Sequence, residues 1–266
     1  MIPAPCTIVK KTAEEKGRYS PFAICGVLCY TVINRESIGG CTVIAVLDYG
    51  AGNLQSVVKA FRFLGCDAAV TADPGELAEA SAAVLPGVGA FGDAMACLKS
   101  SGLLRPVLDY IGSGRPFLGI CLGLQLLFEG SEEAPGIPGL GVLKGRICRI
   151  PEAAGLKIPH IGWNSLDLKD RGGLFAGLEE HPYVYFVHSY YLIASDRAVV
   201  TATAEYGVTV DASVRLGNLF ATQFHPEKSG RAGLRMLRNF AAEIGKEALP
   251  CTPNGLSRAS TSTAEG

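Results

Sequence analysis

Arg115-Pro116-Phe117-Leu118-Gly119-Ile120-Cys121-Leu122-Gly123-Leu124-Gln125 is the stretch from which the fold is read. Its apolar run, residues 117–120, predicts a short buried strand, and residues 122–129 predict a helix. Cys121 stands between them, with Gly119 two positions before it and Gly123 two positions after. That spacing allows a strand-to-helix turn too tight for larger side chains, the arrangement of a nucleophile elbow with sulfur in place of a hydroxyl. At a helix start the sulfur meets unpaired N–H groups and the positive end of the dipole, which favour a thiolate. The amide of Leu122 would face the oxygen of any carbonyl that Cys121 attacks. The same pattern also suits a buried cysteine filling a Gly-rich βα turn, because free cysteine packs well in cores.

Working outward, residues 43–47 read as a buried strand and 48–52 as a loop, with Asn53 a good helix N-cap. Leu54, Val57, Val58, Phe61 and Leu64 then share one helical face, which Gly65 ends. Further strands are expected at 67–71 and 82–85, the latter running into Pro86-Gly87-Val88-Gly89. Helices follow near 93–99 and 103–111. Strands alternating with helices predict an α/β fold, a central, mostly parallel sheet covered by helices on both faces. Sites in such sheets form beyond the carboxyl ends of the strands, so Asn53, the 86–89 loop and Cys121 should gather at one edge. From Leu140 the texture becomes strand-rich, with candidates at 142–150, 158–168, 183–193, 199–206, 208–216 and 219–224. The last two make a hairpin around Gly217-Asn218. A helix near 231–245 closes the domain, its apolar face made by Leu234, Leu237, Phe240, Ala241 and Ile244. No internal repeat is found.

A chain of 266 residues with 48% hydrophobic and 18% charged content suits a compact enzyme of one large or two small domains. The net charge of −1 gives no reason to expect nucleic acid or an anionic membrane as a partner. Nine cysteines show no paired metal spacing, and their odd number argues against a full disulfide framework. No metal or other cofactor is expected, and reduced thiols in a cytoplasmic protein are the simplest reading. Residues 22–33 are apolar but too short to span a bilayer as a helix. With four basic residues upstream they faintly resemble a signal peptide, but Asn34-Arg35-Glu36-Ser37 interrupts the pattern before any cleavage site.

A thiolate nucleophile needs a base and a group to orient that base. Of the four histidines, His225 is the best placed, in Thr222-Gln223-Phe224-His225-Pro226-Glu227. It is expected at the end of a strand, where residues two apart face the same way, so Glu227 would lie beside its ring. The result is Cys121, His225 and Glu227 in the logic of a catalytic triad. A strand-end histidine capped by a carboxylate would give the same local pattern.

The motifs 119–125 and His225-Pro226-Glu227 together resemble those of class I (triad) glutamine amidotransferases. Five further stretches are similar to the glutaminase subunits of imidazole glycerol phosphate synthase: residues 48–54, 85–92, 158–164, 185–190 and 223–230. The resemblance runs from Val43 to about Gly245 and implies a three-layer, flavodoxin-like fold with an added antiparallel strand region. It implies that Cys121 attacks the side-chain amide of L-glutamine, His225 moves protons and Glu227 orients His225. Leu122 and the Gly87-Val88-Gly89 turn would supply an oxyanion hole. Gln125, Glu133, His188, Ser189 and Tyr190 would hold the glutamine, Ser189 and Tyr190 mainly through main-chain atoms. Asn53, Trp163 and Lys228 would face a separate cyclase subunit, which receives the ammonia in a heterodimer.

The resemblance divides the chain into a glutaminase domain at 43–247 and two ends outside it. Residues 1–42 do not read as part of that domain, and we expect translation to start at Val43 from a GTG codon, a flexible accessory segment being the competing reading. Residues 248–266 are low-complexity and expected to be disordered. Rival functions are the glutaminase of another synthase, such as the pyridoxal phosphate one, a non-catalytic docking subunit, and a thiol peptidase on a similar scaffold. The 160–164 and 188–190 motifs disfavour the first. A docking subunit could lose the three triad residues, which are all present, and a peptidase would not need Gln125.

Overall fold

The computed structural model describes residues 43–246, so the expectations for 1–42 and 248–266 lie outside the described residues. The first half builds the parallel core. Strand β1 (Val43–Leu47) is followed by α1 (Leu54–Phe63), β2 (Asp67–Thr71), α2 (Pro74–Glu79), β3 (Ala82–Gly87), α3 (Phe91–Ser100), α4 (Leu104–Gly112), β4 (Phe117–Cys121) and α5 (Leu122–Leu126). The second half supplies β5 (Gly145–Arg149), β6 (His160–Ser165), β7 (Asp167–Leu168), β8 (Tyr183–His188), β9 (Tyr190–Ala194), β10 (Val200–Glu205), β11 (Thr209–Leu216), β12 (Leu219–Thr222) and α6 (Gly230–Ala241).

Eight strands form one sheet in the order β2-β1-β3-β4-β12-β11-β10-β7. The pairs from β2 to β12 are parallel, and those from β12 to β7 are antiparallel. The β1 strand shows why its sequence is apolar throughout. Ile44 and Val46 join the layer packed by α1 and α6, while Ala45 and Leu47 join the layer packed by α2 to α5. Both faces are buried, so alternation is lost and a continuous apolar run remains. Phe61 of α1, Phe240 of α6 and Phe220 of β12 interlock at centroid distances of 6.1 and 6.0 Å. The expected three-layer architecture with an antiparallel extension is the one observed.

Several local expectations change. The segment 183–193 is not one strand: it breaks at Ser189 into β8 and β9, which pair with β6 and β5 in two separate two-stranded sheets. Strand β3 runs two residues further than expected and takes in Pro86 and Gly87. Helix α5 ends at Leu126 rather than near 129: the amides of Leu127 and Phe128 turn to the carbonyls of Leu124 and Gln125, and the carbonyls of Leu126, Leu127 and Phe128 accept the amides of Leu140, Leu143 and Gly141 instead of continuing the helix. Helix α2 was not anticipated, although its signals are local: Asp73 accepts from the amides of Gly75 and Glu76, and Pro74 opens the first turn. Asn53 does sit at the N-cap of α1, but its side chain makes no capping hydrogen bond.

Candidate active site

Cys121 ends β4 with φ 55° and ψ −107°, and it is the one non-glycine residue with positive φ among the described residues. Such backbone costs of order 1–3 kcal/mol and persists only where its surroundings enforce it. The enforcement comes from two glycines beside it. A Cβ on Gly123 would lie 1.8 Å from the Leu85 carbonyl oxygen, and one on Gly119 would lie 2.9 Å from the Gly123 carbonyl. The glycines therefore serve close backbone approach, which lets α5 begin against β3. With only five residues, α5 offers a smaller dipole than a long helix would, and the elbow geometry is what presents the sulfur.

Sequence-distant partners meet this sulfur. His225 Nδ1 donates to Glu227 Oε1 at 2.8 Å, and both side chains are almost fully buried. The pairing occurs for a reason other than strand alternation. Strand β12 ends at Thr222, and residues 226–228 form a 3₁₀ turn that His225 caps. The turn folds the carboxylate back against the ring. Burial, the largest single influence, lowers the His225 pKa, but interactions with the Cys121 sulfur and the Glu227 carboxylate outweigh it and raise the value to about 9. With Nδ1 committed to Glu227, Nε2 is buried and has no hydrogen-bond partner among the described residues. The histidine is also braced from behind. Its amide donates to the Tyr185 carbonyl at 3.0 Å, and Ser229 Oγ donates to its carbonyl at 2.6 Å while accepting the Tyr185 amide at 3.0 Å.

A cleft of roughly 320 Å³ opens over the sulfur, lined by Val88, Gly89, Cys121, Leu122, Gln125, Glu133, Pro159, Val187, His188, Ser189, Tyr190 and His225. It gathers nearly all of the residues expected to bind glutamine or an oxyanion. Gly87 lies beneath it, paired in register with Cys121. A Cβ there would lie 2.6 Å from the Tyr49 hydroxyl, which donates to the Pro86 carbonyl and ties the loop after β1 to the end of β3. Burial raises the Tyr49 pKa and keeps that hydroxyl a donor. Glu133 is not a solvated member of an acidic run, because its Oε2 accepts the Phe91 amide at the start of α3 at 2.8 Å. A larger groove of about 640 Å³, lined in part by Phe63, Arg231, Arg235 and Arg238, shares no residue with this cleft and is lined by neither cysteine nor histidine.

His188 supports the cleft through its ring. Its Nδ1 lies 2.9 Å from the Tyr190 carbonyl and its Nε2 lies 3.1 Å from His160 Nδ1. A carbonyl only accepts, so His188 carries its proton on Nδ1, and its bare Nε2 accepts from His160. Burial lowers the pKa of His188 to about 3 and that of His160 to about 4, so both rings are neutral near pH 7. His160 is stacked on Tyr206 with centroids 3.7 Å apart. Sequence reading left His160 without a role and left Gln223 out of the site, although Gln223 is fully buried 3.7 Å from the Cys121 sulfur. The available signal was a polar side chain continuing an apolar strand toward His225.

The residues expected at a partner surface are accessible. Trp163 is 55% exposed and meets Tyr185 edge-on, and Lys228 Nζ lies 6.0 Å from the centre of the Tyr185 ring. Ile161 and Tyr183 are exposed on the same pair of strands. Asn53 is exposed at the start of α1, a helix that packs against the turn carrying Lys228.

An α/β sheet with a strained cysteine elbow facing a buried His–Glu pair is the arrangement of a class I glutamine amidotransferase, and the sequence model of that family, glutamine amidotransferase class-I, matches residues 45–244. A solved glutamine amidotransferase has the same fold, with a TM-score of 0.60 at 23% identity over 76% of this chain and 98% of that one. The structure of PurLQS from Thermotoga maritima also gives a TM-score of 0.60, at 19% identity over 76% of this chain and 98% of the other. Two relatives are far more similar in sequence, each named imidazole glycerol phosphate synthase subunit HisH. That of Methanothermobacter thermautotrophicus is 54% identical over 202 residues, 76% of this chain and 99% of the relative. That of Syntrophotalea carbinolica is 51% identical over 203 residues, 74% of this chain and 98% of the relative. The chain belongs to the HisH family of class I glutamine amidotransferases.

Proposed function

We propose that this chain is the glutaminase subunit of imidazole glycerol phosphate synthase in histidine biosynthesis, hydrolysing L-glutamine to glutamate and ammonia with Cys121 as nucleophile. The observation that carries the chemistry is the buried His225–Glu227 pair aimed at a cysteine held in a strained elbow. The Cys121 thiolate adds to the γ-amide carbon, and His225 gives its Nε2 proton to the departing ammonia. The same nitrogen then takes a proton from the water that cleaves the γ-glutamyl thioester. Glu227 holds the ring in the tautomer these transfers require. The amides of Leu122 and of the Gly87–Gly89 turn stabilise the oxyanion, each such donor being worth about 3 kcal/mol. Gln125, Glu133, His188, Ser189 and Tyr190 line the space for the amino-acid end of glutamine.

Glutamate release by Glu227→Gln tests this reading. Its kcat/KM is expected to fall about 100-fold. The His225 imidazolium, which persists to about pH 9 in the wild type, loses its carboxylate and the alkaline limb of the rate profile moves to lower pH. By the same sign, the His225 interactions stabilise the fold below the unfolded-state value of about 6.5, and this contribution is lost as pH rises through about 9. An unchanged rate profile in the variant would contradict the assignment.

In this reading the ammonia passes to a cyclase subunit that forms imidazole glycerol phosphate and the aminoimidazole-carboxamide ribonucleotide, and the heterodimer works in the cytoplasm. Among the described residues no helix is long and apolar enough to cross a membrane. The exposed apolar face of β6 and β8, with Trp163 and Lys228, is where we dock the cyclase, together with Asn53. Trp163→Ala is expected to weaken subunit binding at least tenfold, roughly the effect of losing an aromatic anchor, and Lys228→Glu to weaken it as well. Both variants keep the wild-type Tm. Titration of the cyclase subunit checks this, and wild-type affinity in both variants counts against the docking face.

A further inference from the structure

Two buried amides connect the nucleophile to the wall of the cleft. Gln125 Nε2 donates to the Tyr190 carbonyl at 3.1 Å and to Gln223 Oε1 at 3.0 Å. Because a backbone carbonyl can only accept, the Gln125 amide has one permitted orientation, with its NH₂ toward Tyr190 and Gln223. A donor therefore faces Gln223, which must present its oxygen to Gln125 and turn its own NH₂ the other way. In that direction Gln223 Nε2 lies 3.7 Å from Cys121 Sγ, within reach of a hydrogen bond to sulfur. The orientation follows from the Tyr190 carbonyl.

The segment that carries Gln223 is itself fixed. Its amide donates to the Ala212 carbonyl at 2.8 Å, and Thr222 Oγ1 donates to the Phe224 carbonyl at 3.0 Å. Two residues further along is His225, so one short segment delivers both a base and a neutral donor to the same sulfur. The two differ in chemistry. His225 must give up and recover a proton in each turnover, whereas an amide keeps its protons throughout.

We infer that Gln223 is a further catalytic residue, donating a hydrogen bond to the Cys121 sulfur, and that Gln125 is a positioning residue that holds Gln223 in that orientation. The role rests on the reading of Cys121 as the glutaminase nucleophile. Gln223 stabilises the sulfur anion before attack. It does so again when water has added to the thioester and the C–S bond breaks, leaving the electron pair on sulfur.

Methionine is close to glutamine in shape and has no N–H, so Gln223→Met, Gln125→Met and the double variant form the test. Alkylation of Cys121 by iodoacetamide, followed on the Cys121 peptide by mass spectrometry, reads the sulfur without using the glutamine pocket. In acid, where the sulfur is mostly protonated, Gln223→Met is expected to slow alkylation about three- to tenfold, because the lost donor favoured the anion. The kcat for glutamate release falls by a similar factor, with KM within about twofold of wild type. Gln125→Met also slows alkylation, and the double variant is no slower than Gln223→Met. Wild-type alkylation in Gln223→Met, or a double variant slowed by the product of the single effects, overturns the proposal. Should Gln223→Met fail to fold, as judged by Tm, Gln125→Met decides alone: slowed alkylation supports the proposal and a wild-type rate overturns it. Glutamate release by the wild type, measured alongside, separates failure of this proposal from failure of the glutaminase reading.

Discussion

Cys121→Ala is expected to lower glutamate release by about 10⁴-fold or more, since no other group in the cleft can form the thioester. The three other cysteines of the described residues are Cys66, Cys97 and Cys148, and none of them lines the cleft. The alanine variant lacks the sulfur but keeps the backbone strain of the elbow, so it is the reference against which that strain is read. Cys121→Gly separates the two properties. It is equally inactive, but glycine adopts φ 55° without penalty. Relief of about 1–3 kcal/mol of strain, less about 0.5–1 kcal/mol of added chain entropy, leaves a gain of about 1 kcal/mol. Denaturant midpoints of the three proteins check this. A glycine variant less stable than the alanine one would mean that the elbow stores no strain.

The second large effect is on the fold. Gly123→Ala places a methyl group 1.8 Å from the Leu85 carbonyl oxygen, a backbone atom of β3 that cannot swing aside. Either α5 lifts from the sheet or β3 moves, and a loss of about 3 kcal/mol or more is expected, at the upper end for overpacking. Because β3 leads into the Gly87–Gly89 turn, glutaminase activity should fall along with the unfolding midpoint. A midpoint equal to that of wild type would show that the close approach of α5 and β3 is not as described.

The elbow was legible because its signals are local. Two glycines flanking a cysteine between an apolar strand and a short helix can be read without knowing any neighbour, and the strands from Val43 to Cys121 were apolar enough to be placed almost to the residue. What failed was of two kinds. The break at Ser189 lies in a continuous apolar stretch whose two halves join different sheets, a choice made by tertiary pairing with β5 and β6. The early end of α5 was hidden because Leu126, Leu127 and Phe128 continue the apolar run, while their carbonyls accept amides from Leu140, Leu143 and Gly141. At the site, His225 and Glu227 were paired correctly on a mistaken local argument, since a 3₁₀ turn and not a strand brings them together. Gln223 and His160 were missed because each acts through contacts with residues far away in sequence.

The brace behind His225 gives a physical route for control by a partner. The Tyr185 main chain that holds the His225 turn belongs to β8, which pairs with β6, the strand that carries the exposed Trp163. A subunit bound over Trp163 and Tyr185 would press on the element that positions the base. The most direct test of the account is glutamate release from glutamine, measured for the wild type alone and then with the cyclase subunit and its nucleotide. We expect slow release by the isolated chain and a marked rise when the loaded cyclase docks. Equal release with and without the partner would contradict a glutaminase built to serve that synthase.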